Sequence, residues 1–127
     1  MIKTIEWKDN KVFMIDQRLL PGKLEIISCS EYHEVAEAIR DMAIRGAPAI
    51  GAAAAFGMAL AANNHNTDDV SEFITRLEKA KNVLASTRPT AVNLFWALDT
   101  IWNEIEHRNA SVRELRKRVI LKAKQIA

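Results

Sequence analysis

The sequence contains little of what marks secreted, zinc-binding or membrane proteins. Cys29 is its one cysteine, so there is no internal disulfide and no cysteine pair with the spacing of zinc ligands. We therefore expect a reducing cytoplasm as the compartment. The net charge of +2 is too small to indicate a nucleic-acid partner by itself. The N-terminus lacks the basic and then apolar pattern of a secretory signal, and there is no internal repeat.

Length and composition point to one ordinary globular domain. The chain has 127 residues, of which 49% are hydrophobic and 27% are charged. Its most apolar stretch, Arg45–Ala62, falls short of the roughly 20 apolar residues that a membrane span requires. Close helix contacts explain the glycines of this stretch as well as lipid would. We expect a single hydrophobic core and no membrane.

The stretch Arg45–Ala62 predicts the central helix of the domain. Pro48 can be its first helical residue, because the first turn does not use the N–H that proline lacks. The residues that follow are apolar on every face, so the helix has no solvated side and must lie in the middle of a bundle. The polar segment 63–66 should end it.

The residues before this helix predict a small antiparallel sheet and one helix. Alternating apolar and polar residues indicate strands at 2–8, 11–16 and 23–29, with Asp9-Asn10 as a hairpin turn and 17–22 as a loop. Ser30 is a good N-cap for the helix that follows, and Gly46 is expected to end that helix.

Three amphipathic helices are predicted after the central one. Asp69 and Glu72 have capping-box spacing at the start of the first, and Ser111 and Glu114 have it at the start of the last. Between them, a helix over residues 90–107 should begin near Pro89. The fold class predicted is α+β, mainly α, with a three-stranded antiparallel sheet followed by a bundle of about five helices.

The last predicted helix reaches Ala127 without a glycine, proline or polar stop. We therefore expect residues 1–127 to be the N-terminal domain of a larger two-domain protein. This helix is basic, and without interleaved aromatic residues it indicates a solvated face rather than a nucleic-acid surface. Its basic residues are Arg113, Arg116, Lys117, Arg118, Lys122 and Lys124. His33, His65 and His107 lack the spacing of metal ligands and are expected at the surface.

Two arginines precede predicted helix starts, where a cation is unfavourable. Arg45 stands before Pro48 and Arg88 before Pro89, and a helix N-terminus carries a partial positive charge. An anion would relieve this conflict, since free N–H groups, a glycine and a guanidinium form a phosphate-sized site. If the two corners meet, they make one pocket. The structural alternative is that Arg45 caps the preceding helix, Gly46 is its left-handed stop, and Arg88 is a surface turn residue.

Three sequence blocks carry a family resemblance. They are MIDQRLLP at 14–21, IRGAPAIG at 44–51 and RPTAVNLFW at 88–96. They closely resemble the N-terminal domain of the methylthioribose-1-phosphate isomerase family, within the superfamily of the regulatory subunits of translation initiation factor 2B. The resemblance covers essentially the whole chain. It implies that Arg45, Gly46, Ala47 and Arg88 bind substrate, in agreement with the anion argument.

The resemblance also implies a reaction, the conversion of methylthioribose 1-phosphate into methylthioribulose 1-phosphate in methionine salvage. It implies no metal and no organic cofactor. The family's catalytic cysteine and aspartate lie in a Rossmann-like C-terminal domain that this chain does not contain, and Cys29 does not match that cysteine. We expect no catalytic residue here, phosphate binding by this chain alone that is weak at most, and a cytoplasmic homodimer for the full-length protein.

Two relatives in the superfamily offer alternative functions. Ribose-1,5-bisphosphate isomerase resembles this chain at Arg-Gly-Ala and Arg-Pro-Thr, but we expect it to lack Pro48 and the continuation Asn93–Trp96. The regulatory subunits are not enzymes and act by assembly and nucleotide-exchange regulation. Retention of both arginine corners favours the isomerase. The partners we expect are a sugar phosphate and the protein's own C-terminal domain, and neither nucleic acid nor a membrane.

Overall fold

The chain opens with a three-stranded antiparallel sheet. The computed structural model describes residues 4–106 and 110–127. The strands are β1 (Ile5–Lys8), β2 (Lys11–Ile15) and β3 (Ile26–Cys29), paired in the order β1-β2-β3. Asp9 and Asn10 join the first two with φ angles of 54° and 58°, the left-handed pair that a two-residue type I′ hairpin requires. The predicted sheet and its hairpin turn are confirmed.

Five α-helices follow the sheet in the described part of the chain, so the predicted α+β, mainly α class is confirmed. They are α1 (Tyr32–Arg40), α2 (Ala47–Asn64), α3 (Val70–Ala85), α4 (Val92–Asn103) and α5 (Val112–Ile126). Among the residues that the structure describes, no helix is both long enough and apolar enough to cross a bilayer.

Helix α2 is the centre of the domain, as its apolar sequence predicted. It packs against the other four helices and against β1 and β2, and every residue from Ile50 to Leu60 is buried. Gly57 lies where α1 and α3 both approach α2, because a Cβ there would be 3.0 Å from the Leu84 side chain and 3.5 Å from that of Val35. The missing side chain therefore allows three helices to pack closely.

The strands are shorter than predicted. β1 begins at Ile5, and residues 1–3 lie outside the described part of the chain. β2 ends at Ile15 because Asp16 caps a short 3₁₀ turn, Gln17–Leu19. β3 begins at Ile26 rather than at residue 23. The N–H of Lys23 donates to the Leu19 carbonyl at 2.9 Å, which holds residues 20–22 in turns ahead of the strand.

Both predicted ends of α1 were wrong. Its N-cap is Glu31 rather than Ser30, and the Glu34 carboxylate accepts the N–H of Glu31 at 3.1 Å. It ends at Arg40, well before Gly46, in a Schellman motif whose left-handed residue is Met42 with φ 62°. The N–H of Met42 donates to Ile39 at 3.2 Å and that of Ala43 to Ala38 at 2.9 Å.

The boundaries of α2 and α4 also differ from the prediction. Gly46, with φ 92°, is the N-cap of α2, so Pro48 is the second helical residue and not the first. Helix α2 continues to Asn64, into the segment predicted to end it. Pro89 lies in a turn and not in α4, because the N–H of Ala91 donates to the Arg88 carbonyl at 3.0 Å. The predicted end of α4 at residue 107 lies outside the described residues, and α4 ends at Asn103.

The predicted caps of α3 and α5 are confirmed. The Asp69 carboxylate accepts the N–H of Glu72 at 3.3 Å, and the Ser111 hydroxyl accepts that of Glu114 at 3.2 Å. These bonds satisfy N–H groups that a helix start otherwise leaves unpaired.

Candidate functional site

The starts of α2 and α4 touch each other. A Cβ built on Gly51, in the second turn of α2, would lie 3.3 Å from the carbonyl oxygen of Asn93, in the first turn of α4. Only a residue without a side chain allows this approach without displacement of its neighbour. The two arginine-bearing corners are consequently neighbours in space, although more than forty residues separate Arg45 from Arg88.

One cavity of about 420 Å³ lies between the two corners. Arg45, Gly46, Ala47 and Arg88, the four residues singled out from the sequence, all line it. Met42, Ile50, Thr90, Ala91, Val92 and Asn93 complete the lining. No acidic residue is among these described lining residues, so the charged side chains at the cavity are the two arginines. Its volume exceeds what a phosphate group occupies and leaves room for part of a larger molecule.

Two sets of backbone N–H groups lie at this cavity. In α2 the hydrogen bond from Ile50 to the Gly46 carbonyl, 3.0 Å, is the first of the helix, and in α4 the first is from Leu94 to Ala91, 3.1 Å. The N–H groups of residues 46 and 47, and of 92 and 93, lie ahead of these bonds and belong to residues that line the cavity. They stand at the positive ends of two helix dipoles, where an anion is favoured.

The two arginines are held differently. The Nη2 of Arg45 donates to the Gln17 carbonyl at 3.2 Å, and this side chain is otherwise exposed. The Arg88 side chain is half-buried and has no hydrogen-bond or ion-pair partner among residues 4–106 and 110–127. Arg45 therefore does not cap α1, and Gly46 starts α2 instead of ending α1, so the structural alternative is wrong on these two points. Arg88 opens a turn, as that alternative expected, and its side chain is partly buried.

Other residues considered from the sequence lie away from this cavity. His33 is exposed, but the expectation of a surface position is wrong for His65, whose side chain is 16% exposed. The Nε2 of His65 lies 3.6 Å from a Glu72 carboxylate oxygen and makes no hydrogen bond. His107 lies outside the described residues. In the described ranges, no three His, Cys, Asp or Glu side chains are grouped as a metal site.

Cys29 and the two tryptophans of α4 also do not line this cavity. Cys29 is fully buried at the end of β3, and burial raises the pKa of its thiol to about 11. The thiol is therefore protonated at neutral pH and buried away from the cavity, as expected for a core cysteine. Trp102 packs against the core, whereas Trp96 is 57% exposed and does not belong to it.

Arg116 is a residue whose role the sequence did not reveal. The sequence places it on a solvated basic face, but its Nε donates to the Ala62 carbonyl at 2.9 Å and its Nη2 to the His65 carbonyl at 2.8 Å. Its guanidinium also lies 5.8 Å from the centre of the Phe73 ring. Arg116 thus caps the C-terminal end of α2 from α5. No local pattern could show this, because its partners lie about fifty residues away.

The chain is thus an α+β domain built on one buried helix, with a cationic cavity at the start of that helix. Residues 43–127 match the model of the Initiation factor 2 subunit family. The chain belongs to this family.

Individual relatives give a finer comparison. The chain is 50% identical over 125 residues to methylthioribose-1-phosphate isomerase of Geotalea uraniireducens, a match covering 98% of this chain and 36% of the relative. The crystal structure of 5-methylthioribose 1-phosphate isomerase from Pyrococcus horikoshii superposes with a TM-score of 0.96 and 46% identity, covering 100% of this chain and 36% of that one.

A second solved structure bears a different name. Translation initiation factor eIF-2B, subunit delta, from A. fulgidus superposes with a TM-score of 0.91 and 43% identity, covering 99% of this chain and 36% of that one. This chain spans about one third of the length of the curated relatives it matches. The same domain therefore occurs in proteins named as isomerases and in one named as an initiation factor subunit.

Proposed function

We propose that this chain is the N-terminal, substrate-phosphate-binding domain of a methylthioribose-1-phosphate isomerase. One observation carries the proposal: both arginine corners and both helix starts line a single cavity, with no acidic residue among the described residues of its lining. Sequence identity of 50% to a relative of that name, over 98% of this chain, supports the substrate. The regulatory subunit remains the alternative, since a protein named as one shares the fold at 43% identity.

The cavity suits the phosphate of an aldose 1-phosphate. Arg45 and Arg88 present guanidinium forks, which bind phosphate oxygens in pairs, while the N–H groups after Gly46 approach from the helix end. Binding at these groups fixes the sugar carbons relative to the rest of the protein. Among the described residues that line the cavity there is no cysteine, histidine or carboxylate that could move a proton. Its part in the reaction is binding, and ring opening and proton transfer belong to the C-terminal domain that we propose for the full-length protein.

Several finer points are part of the same proposal. The full-length protein should be a homodimer in the cytoplasm, acting in methionine salvage without a metal or organic cofactor. Neither nucleic acid nor a membrane is proposed as a partner. Each of these rests on the family resemblance and on the names of relatives rather than on a feature of the cavity.

Kinetics of the full-length protein test this proposal. We expect Arg45→Ala and Arg88→Ala to lower kcat/KM for methylthioribose 1-phosphate by about a hundredfold each, because each removes a charged hydrogen-bond donor worth roughly 2–3 kcal/mol. Arg88→Lys should be intermediate, since it keeps the charge but not the fork. Arg113→Ala is the matched control, because Arg113 is exposed on α5 and does not line the cavity.

The kinetic results distinguish methylthioribose-1-phosphate isomerase from the two alternative functions. Unchanged kcat/KM in Arg88→Ala would remove Arg88 from the site. A full-length protein that folds but does not turn over any pentose 1-phosphate would favour the regulatory subunit. Preferred turnover of ribose 1,5-bisphosphate would favour a ribose-1,5-bisphosphate isomerase.

A further inference from the structure

The two buried polar residues of the described chain both lie beside the arginines of the cavity. Thr87, 8% exposed, immediately precedes Arg88, and Asp16, 5% exposed, immediately precedes the residue that Arg45 contacts, Gln17. The Thr87 hydroxyl donates to the Leu84 carbonyl at 2.6 Å, at the end of α3. A buried carboxylate is less common than a buried hydroxyl and requires a specific set of donors.

The donors to Asp16 come from one residue of the same turn. Oδ1 accepts the backbone N–H of Arg18 at 3.1 Å and its Nε at 2.9 Å, and Oδ2 accepts its Nη2 at 2.7 Å. These hydrogen bonds hold the pKa of Asp16 below its usual range, so the group is a carboxylate at neutral pH. The Asp16 N–H in turn donates to the Glu25 carbonyl at 2.9 Å. The 3₁₀ turn Gln17–Leu19 is therefore closed by its own side chains and fixed to the segment before β3.

Two hydrogen bonds join this turn to the segment that carries Arg45. The Gln17 N–H donates to the Ala43 carbonyl at 2.8 Å, and the Gln17 carbonyl accepts Nη2 of Arg45 at 3.2 Å. Ala43 is buried and lies directly after the left-handed Met42. Both the backbone leading to Arg45 and the end of its side chain are thus set by the position of Gln17.

We propose that Asp16 is a positioning residue for the phosphate cavity: by closing the 3₁₀ turn, it places the Gln17 carbonyl that orients Arg45. This inference rests on the proposed function, because it assigns a role within the same site. Arg45 then loses less rotamer freedom when an anion binds than a free arginine would. Residues Asp16–Arg18 belong to the block at 14–21 that resembles the family, yet they are not among the residues that line the cavity. Orienting Arg45 is a role that this segment can have without lining the cavity.

The test is a double-mutant cycle of Asp16 and Arg45. Its readout is the affinity for inorganic phosphate, measured from the amide NMR shifts of residues 46 and 47. We expect Asp16→Asn to weaken phosphate binding by about threefold to tenfold, the effect of freeing one long side chain. In an Arg45→Ala background the same change should have no further effect, because there is no side chain left to orient. Arg18→Ala, which removes the same ion pair from its exposed end, should act in the same direction.

Glu25→Gln is the control variant for this test. Glu25→Gln also removes a carboxylate from this region, but that carboxylate pairs with Lys23 on the surface, so phosphate affinity should not change. If the wild-type chain binds phosphate at residues 46 and 47 and folded Asp16→Asn binds it equally well, the inference is overturned and the proposed function stands. An equal loss in the Arg45→Ala background would also overturn it. Absence of wild-type binding at these residues would reject the proposed function and this inference together.

Enzyme kinetics give a second readout that a merely structural role would not produce. In the full-length protein, Asp16→Asn should raise KM for the sugar phosphate by about threefold to tenfold while kcat changes less than twofold, because oriented Arg45 binds ground state and transition state alike. A fall in kcat with unchanged KM would contradict a positioning role.

Discussion

Replacing Arg116 with alanine should destabilise the domain although the residue sits on a basic, partly solvated helix. The change removes two charged hydrogen bonds to the carbonyls of Ala62 and His65, at 2.9 and 2.8 Å, and a contact with the Phe73 ring. Hydrogen bonds to charged groups contribute about 1.5–3 kcal/mol when buried, and partial exposure reduces this here. A cation over an aromatic ring adds about 0.5–1 kcal/mol. We therefore expect the free energy of unfolding to fall by about 2–3 kcal/mol.

Chemical denaturation monitored by circular dichroism measures this change. The midpoint should fall while the slope m stays constant, because the same surface is exposed on unfolding. Arg116→Lys should recover no more than about half of the loss, since one ammonium cannot reproduce the fork that reaches both carbonyls. Arg113→Ala, on the exposed side of the same helix, should change stability by less than about 0.5 kcal/mol. Equal effects of Arg113→Ala and Arg116→Ala would refute the assignment of Arg116 as a cap.

Two further predictions concern Cys29 and Gly46. Because burial raises the pKa of Cys29 to about 11 from an ordinary 9.0, the free energy of unfolding should fall by roughly 2–3 kcal/mol between these two pH values, where the unfolded thiol ionises and the buried one does not. Cys29→Ala should lack this part of the fall; identical pH profiles would contradict it. Gly46→Ala should lower stability by about 1–2 kcal/mol, because φ 92° strains any side chain, whereas Gly22→Ala, at an unstrained position, should be nearly neutral in the same denaturation assay.

The fold was largely predictable because its signals are local. The all-apolar sequence of α2, the alternating strands and the caps of α3 and α5 each depend on residues within one or two turns of one another. The end of α1 was not predictable in this way, because the left-handed residue of a Schellman motif is usually glycine and here it is Met42. Gly46, the nearby glycine, was therefore misread as the end of α1.

The candidate site, too, was predictable only where its signals are local. The conflict between an arginine and a following helix start identified Arg45 and Arg88 as unusual, and the structure brings the two together at one cavity. The contacts that shape this region connect distant segments: Gln17 to Arg45 through one hydrogen bond, and Gly51 to Asn93 through close packing. Such pairs depend on the packing of the whole domain, so no reading of local sequence could have found them.

A titration of inorganic phosphate into this chain, followed by amide NMR, tests the central claim that the two helix starts form one anion site. The claim predicts that the signals of residues 46 and 47 and those of residues 92 and 93 shift together, with one dissociation constant in the millimolar range or weaker. The same shifts should largely disappear in Arg88→Ala and persist in Arg113→Ala. Shifts confined to one helix start, or unchanged in Arg88→Ala, would contradict a single phosphate cavity.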